Sequence, residues 1–169
     1  MELDKLPFNI CFIGGGYISF EFAHVAARAG SKVTILHHGK KALKNFDADL
    51  VGMLLKKTRE INIEVKLQTM VEKVELIDKD KNFLVYSSVI DDNGNSHKSS
   101  VIEADMVVHG GGRVPDVEDL KLESAGVEYD KKDGIKVNEY LQSISNPAIY
   151  AAGDVAATGR HALNTSGCI

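Results

Sequence analysis

Cysteine is scarce in this 169-residue chain, with only Cys11 and Cys168, one near each end. That excludes a disulfide framework and any metal site built on clustered thiolates, and it makes a reducing, cytoplasmic compartment the expectation. No apolar run is long enough to cross a bilayer, and the N-terminus lacks the basic-then-apolar form of a signal peptide. Positive charge is not in excess either. Twenty Lys and Arg against 24 Asp and Glu leave a net charge of −4, which argues against nucleic acid or an anionic membrane surface as a partner. No internal repeat, low-complexity tract or linker interrupts the chain. What is present is an ordinary globular composition, in a length that suits one domain with a substantial core.

The most informative stretch runs from Ile10 to Glu21, where the apolar run Ile10-Cys11-Phe12-Ile13 enters Gly14-Gly15-Gly16 and then Tyr17-Ile18-Ser19-Phe20-Glu21. A strand that passes through a glycine turn directly into a helix is the geometry that binds the pyrophosphate of a dinucleotide. Gly14 permits the tight turn, and Gly16 lets the backbone approach a phosphate with no Cβ in the way. The helix that starts near Tyr17 offers N–H groups and the positive end of its dipole to the anion. Ser19 stands where the third glycine of the usual fingerprint belongs, and serine is small enough to keep helix and strand close.

Alternation of element types sets the fold class. Phe8–Ile13 reads as a buried strand, and the following helix places Ile18, Phe22, Val25, Ala26 and Ala29 on one face before Gly30 ends it. Lys32–Leu36 is a second strand, Asp47 a helix N-cap, and Leu50, Met53, Leu54 and Lys57 the inner face of a helix to about Glu60. A third strand follows at Asn62–Leu67. From Val71 to Glu103 the runs are strand-like only, at Val71–Ile77, Phe83–Ile90 and Ser99–Ile102, with turns at 78–81 and 91–95. Met106–His109 returns as a buried strand ending in Gly110-Gly111-Gly112. A short helix near Leu120–Ser124 and strands at Gly134–Val137 and Ala148–Ala151 complete the chain. The expected fold is α/β: a Rossmann-like parallel sheet covered on both sides, with an antiparallel β-meander as one crossover. Residues 1–169 are read as a single NAD(P)(H)-binding domain, its core at about 7–113 and a return segment at 114–169.

A nucleotide preference can be read from the end of the second strand. In an NAD-binding fold, an acidic residue about 20 positions beyond the glycines grips the adenosine ribose. Here the position falls on His37, followed by His38, Lys40, Lys41 and Lys44. A cationic cluster attracts a 2′-phosphate that a carboxylate would repel, which points to NADP(H) over NAD(H). The other reading of the cluster is a solvated basic loop.

These motifs resemble the FAD-dependent pyridine nucleotide–disulfide oxidoreductases, and within them the glutathione reductase-like branch. The resemblance rests on Gly14 through Glu21, on Phe46-Asp47, on Gly112-Arg113-Val114-Pro115 as Gly-Arg-x-Pro, and on Ile149-Tyr150-Ala151-Ala152-Gly153-Asp154. It implies a nicotinamide-nucleotide domain set between two halves of an FAD domain of the same polypeptide, with a homodimer as the intact protein. Gly14, Gly15, Gly16 and Ile18 would hold the pyrophosphate. Tyr17 would cover the nicotinamide pocket at the flavin, and Glu21, one turn on, would face the flavin too; these two are the catalytic candidates. The alternatives are a partly exposed helix tyrosine and a surface carboxylate. His38 and Lys44 stand where NADPH-specific members place two arginines, with His37 and Lys40 as substitutes if the local register shifts by one. Gly111 and Gly112 would let the nicotinamide half pass, Arg113 would sit at the rim, and Asp154 would hydrogen-bond the FAD ribityl chain.

Other family features are missing from the sequence: a first FAD-binding strand ahead of the glycine turn, a Cys-x4-Cys redox pair and an interface domain bearing an acid–base histidine. The stretch after Gly159 resembles the family only loosely, and His161 is read as a surface residue. The expectation is therefore an excised central domain that binds NADPH without turnover and that, in the intact protein, passes hydride from NADPH to FAD. Two other readings stand beside it: the same domain of a non-disulfide flavoenzyme such as an NADH oxidase or ferredoxin reductase, and a stand-alone nucleotide sensor. No metal site is expected.

Overall fold

The structure, a computed structural model, describes residues 5–77 and 82–158. The turn expected at 78–81 and the readings of His161 and Cys168 lie outside the described residues. The chain forms two compact units, Met1–Gly112 and Arg113–Ile169.

In the first unit, β1 (Asn9–Ile13), β2 (Lys32–Leu36), β3 (Glu64–Lys66) and β7 (Met106–His109) form a parallel sheet in the order β3-β2-β1-β7. The pleat sends alternate residues to opposite faces. Ile10, Phe12, Val33 and Ile35 pack with Phe20, Ala23 and Ala26 of helix α1 (Tyr17–Arg28). Helix α2 (Ala48–Glu60) joins the same layer through Val51, Leu54 and Leu55. Cys11 and Leu36 point the other way, against Val85 and Ala104 of an antiparallel meander. That meander is β4 (Thr69–Leu76), β5 (Phe83–Ile90) and β6 (Ser96–Ala104), in the order β4-β5-β6. It links β3 to β7 in place of a crossover helix, and so supplies the second cover of the sheet. Burial of Cys11 pushes its thiol pKa up to about 11, against a smaller opposing pull from Lys66. The thiol is therefore protonated and unreactive. Among the described residues, no helix is long and apolar enough to cross a membrane.

Both helices bury a face rotated from the one the apolar spacing suggests, sharing Ala26 on α1 and Leu54 on α2 with it. On α1, Phe22 and Val25 are 47% and 67% exposed, whereas Ser19 and Ala23 are fully buried. On α2, Leu50 and Met53 face outward, and Thr58 is buried with Val51, Leu54 and Leu55 partly so. On α1 the reason is steric: the small residues Ser19 and Ala23 let the helix approach Gly110 and the sheet closely, with Phe20 filling the core beside them while Phe22 and Val25 turn away. The helix ends follow expectation. Asp47 caps α2, its Oδ1 accepting from the N–H groups of Asp49 and Leu50 at 3.0 and 3.1 Å, and Gly30 closes α1 at φ +107°.

The second unit has its own core of Val117, Leu122, Val127, Ile135, Ala151 and Ala156. Its sheet orders β10 (Ala156–Ala157), β9 (Gly134–Lys136) and β8 (Tyr129–Asp130). The expected helix at Leu120–Ser124 is two single 3-10 turns, Glu118–Leu120 and Leu122–Ala125, separated by Lys121 at φ +49°. The strand expected at Ala148–Ala151 is reduced to a single antiparallel bridge, Tyr150 against Gln142. Ser143 N–H to Ile149 O and Ala151 N–H to Leu141 O close that bridge, and before it the Asn146 side chain accepts from Ala148 N–H in a turn, so the pairing goes no further. β9 pairs with β10 in parallel register and with β8 in antiparallel register.

Candidate functional site

The candidate residues of the first unit collect at the carboxyl ends of β1, β2 and β7. Open parallel sheets bind ligands at this edge, where the strand order reverses: from β1 the chain steps outward through β2 to β3 and then returns as β7 on the other side of β1. Gly14 has φ +108°, and a Cβ on it would run into the carbonyl of Gly110. Its N–H donates to Leu36 O at 2.8 Å, and Gly110 N–H donates to Ile13 O at 2.7 Å. The turn is thus pinned to both neighbouring strands. Ser19 packs directly on Gly110, where a Cβ would overlap its Oγ. Ser19 therefore fills the place of a third glycine only because Gly110 opposite has no side chain.

Gly16 differs from these glycines. It is the N-cap of α1, with φ −87° and no side-chain cap hydrogen bond at that helix end. The protein atom nearest to a Cβ on Gly16 is Gly110 O, at 3.8 Å, an ordinary contact. Neither strain nor packing inside the molecule requires glycine there. The first turn of α1, where Ile18 is half-buried, therefore has neither a side-chain cap nor a Cβ in front of its backbone N–H groups.

Tyr17 and Glu21 lie one turn apart on α1, half-buried and exposed respectively. They border a groove of about 390 Å3 shared with Phe20, His24, Phe46 and Leu54. Two of its lining residues, His24 and Leu54, are joined by a relay in which Arg28 donates to His24 Nδ1 at 3.2 Å, His24 Nε2 donates to Thr58 Oγ1 at 2.8 Å, and Thr58 donates to Leu54 O at 2.7 Å. Burial and the Arg28 charge lower the His24 pKa.

The basic loop is less uniform than its sequence. His37 is folded under the turn, with Gly15 N–H donating to its Nδ1 at 3.1 Å. Burial lowers its pKa, a smaller opposing effect coming from the Lys41 carbonyl and a further lowering from His38. Lys40 pairs with Asp92 at 2.7 Å on the meander. His38 and Lys44 are exposed, and among the described residues no carboxylate lies within ion-pair distance of either. Leu43, buried at the strained φ of +51°, donates its N–H to Gly15 O at 3.0 Å. Gly111 and Gly112 continue from β7, Gly112 at φ +122°.

In the second unit, Arg113 and Asp154 form an ion pair at 3.0 Å, each about half exposed, joining the Gly-Arg-x-Pro and Gly-Asp motifs. Among the described residues, no group of three His, Cys, Asp or Glu side chains could hold a metal ion.

Gly39, Leu43 and Gly110 belong to this constellation and were not singled out from the sequence. The signal for Gly110 is present, since it opens a second glycine triplet at a strand end. Leu43 carries none.

A family profile described as pyridine nucleotide-disulphide oxidoreductase matches residues 1–167. The chain belongs to this family. Among curated relatives, it is 36% identical over 155 residues to a mercuric reductase of Staphylococcus aureus, covering 92% of this chain and 27% of that protein. A glutathione reductase of Nostoc is 33% identical over 164 residues, with 91% and 34% covered. The HOCl-induced flavoprotein disulfide reductase RclA of Escherichia coli has a solved structure that matches with a TM-score of 0.78 at 26% identity. That match covers 97% of this chain and 35% of RclA. The chain thus spans between about a quarter and a third of the length of these oxidoreductase relatives.

Proposed function

We propose that the first unit binds NADP(H) at the glycine turn and presents it for hydride transfer to FAD in an intact flavin-dependent disulfide reductase-like oxidoreductase. The observation that carries this reading is Gly16: a glycine with no internal need for one, at a helix end with no side-chain cap. Gly14, Gly15 and Gly16 shape the cradle, and the first turn of α1 receives the pyrophosphate. Lys44 and His38 attract the 2′-phosphate, and Lys40, paired with Asp92, contributes less. Gly111 and Gly112 leave room beside β7 for the nicotinamide half. Tyr17 and Glu21 flank the groove on the same helix, where an aromatic ring and a carboxylate can order the nicotinamide and its flavin neighbour. The bound dinucleotide supplies the hydride, and the protein supplies orientation and cofactor choice. Arg113 holds the carboxylate of Asp154, the group proposed to meet the FAD ribityl chain. The FAD domain and a second copy of the chain are the proposed partners in the intact protein.

Calorimetric titration with NADPH and then NADH tests the assignment. NADPH should bind at least about tenfold tighter, equivalent to about 1.4 kcal/mol, and the difference should vanish when His38 and Lys44 are both changed to Ala. Equal affinity for the two nucleotides would refute the 2′-phosphate assignment, and binding of neither would refute the site.

A further inference from the structure

His37 is built into the glycine turn. Its imidazole lies between two glycines: a Cβ on Gly15 would come within 2.8 Å of Cγ, and one on Gly39 within 2.7 Å of Nε2. Gly15 N–H donates to Nδ1 at 3.1 Å, and Nε2 lies 3.0 Å from the Lys41 carbonyl oxygen. A carbonyl only accepts and an amide N–H only donates, so the ring is the neutral tautomer with its proton on Nε2. Its own main chain is anchored on both sides, N–H to Lys66 O and C=O from Thr69 N–H, each at 2.9 Å. Leu43 N–H takes up the carbonyl of the same Gly15. Both edges of the Gly15 residue are therefore tied to the 37–43 loop, one through the imidazole and one through a strained leucine.

We propose that His37 is a positioning residue for dinucleotide binding, a proton-sensitive latch whose neutral ring holds the glycine turn and the 37–44 loop in the binding arrangement. The proposal rests on the dinucleotide reading above. A second proton must go on Nδ1, where it sets one N–H against another; the Gly15 bond is lost and the charged ring has to leave the slot between the glycines. Gly14 and Gly16 flank Gly15, so freeing its peptide re-aims the first turn of α1. Burial and the neighbouring His38 oppose protonation. The His38 ring lies 5.0 Å away between centroids, tilted by 55°, Lys40 and Lys41 lie on the same loop, and Lys66 of β3 is paired with Glu64. The turn between β5 and β6 brings Asp92, which is engaged by Lys40. Among the described residues, no carboxylate is hydrogen-bonded to the imidazole.

The latch predicts a pH dependence of opposite sign to that of a phosphate-binding histidine, which would gain affinity in acid. The test is calorimetric titration with NAD+, which lacks the 2′-phosphate, near pH 8 and near pH 5.5, with the Gly15 amide followed by NMR over the same range. Wild-type affinity should fall in acid by about three- to tenfold, the scale of one hydrogen bond, and the Gly15 amide should shift along the His37 ring titration. His37→Asn offers Oδ1 in place of Nδ1 but takes no proton, so its affinity should change by less than about twofold between the two pH values. His37→Gln is the second non-titrating variant should that one not fold. Affinity that rises in acid, a Gly15 amide that ignores the ring titration, or an acid loss retained in the non-titrating variant would each overturn the latch. No binding of NAD+ or of NADP+ at either pH would overturn the dinucleotide reading and the positioning role with it, while the amide shift reports the His37–Gly15 bond on its own.

Discussion

The contact between Ser19 and Gly110 holds α1 against the sheet, and it can be tested as a coupled pair. Ser19 Oγ is fully buried and has no hydrogen-bond partner among the described residues. An orphaned buried hydroxyl costs about 1–3 kcal/mol, and Ser19→Ala deletes it while leaving the Cβ in place. The single change should therefore stabilise the first unit by about 1 kcal/mol. Gly110→Ala should do the reverse. Its Cβ would overlap Ser19 Oγ, and a hydroxyl enclosed on all sides has nowhere to rotate, so overpacking should cost about 1–3 kcal/mol. In the double variant the overlapping atom is gone. The nearest remaining neighbours of the new Cβ are Ile13 O and Ser19 Cβ, both at 3.5 Å and both ordinary contacts. Gly110→Ala should then be nearly neutral, giving a coupling energy of about 1–3 kcal/mol. Native-state hydrogen exchange at the β1 and β2 amides reads this unit apart from the other. Additive single effects would refute the close-approach argument, and a destabilised Ser19→Ala would show that the hydroxyl has a partner.

Two further outcomes follow from the same geometry. Gly16→Ala should leave folding within about 1 kcal/mol of wild type, since φ is −87° and no atom is crowded. Its affinity for NADP+ should nonetheless fall by more than about tenfold by calorimetry, and unchanged affinity would remove the observation on which the proposed function rests. Acid should weaken the first unit in a window set by histidine. The folded-state pKa values of His24 and His37 lie below the ordinary 6.5, so the unfolded chain binds more protons as pH falls through that value. The stability these groups contribute is complete above about pH 6.5 and is lost as pH falls toward their folded values. Urea unfolding at about pH 7.5 and 5.5 checks the sign, and equal midpoints would contradict it.

Most of the fold was legible because its signals are local. A β-branched run, an Asp at a helix start or a glycine turn between strand and helix each carries its physics within a few residues, and so β1, β2, α2 and the meander were readable in order. The buried helix faces were not. Apolar spacing on α1 favoured Phe22 and Val25 as inner residues, yet the face was chosen by closeness, and closeness depends on Gly110, which lies 91 positions after Ser19 in the chain. The strand at Ala148–Ala151 shrank to one bridge, Tyr150 against Gln142, for a comparable reason: its apolar run suits a strand, but Asn146 caps its first N–H in a turn.

The candidate site divides along the same line. The strand–glycine turn–helix geometry of the candidate cradle was legible from sequence, because the requirement for small residues and a helix end is contiguous. The chemistry of the basic loop is a matter of partners, and residue type is silent about partners. His37, His38, Lys40 and Lys44 look like four members of one cluster. One of them is bonded into the turn, one is paired with Asp92 on a meander some fifty residues away, and two are exposed to solvent. The asymmetry is visible in retrospect in Gly15 and Gly39. Two glycines flanking one histidine in space leave a slot that only a flat ring fills, and a ring held there by backbone on both sides serves shape before charge. A cation count taken from sequence therefore overstates the pull on a 2′-phosphate, and the share carried by Lys44 and His38 decides whether the nucleotide preference survives.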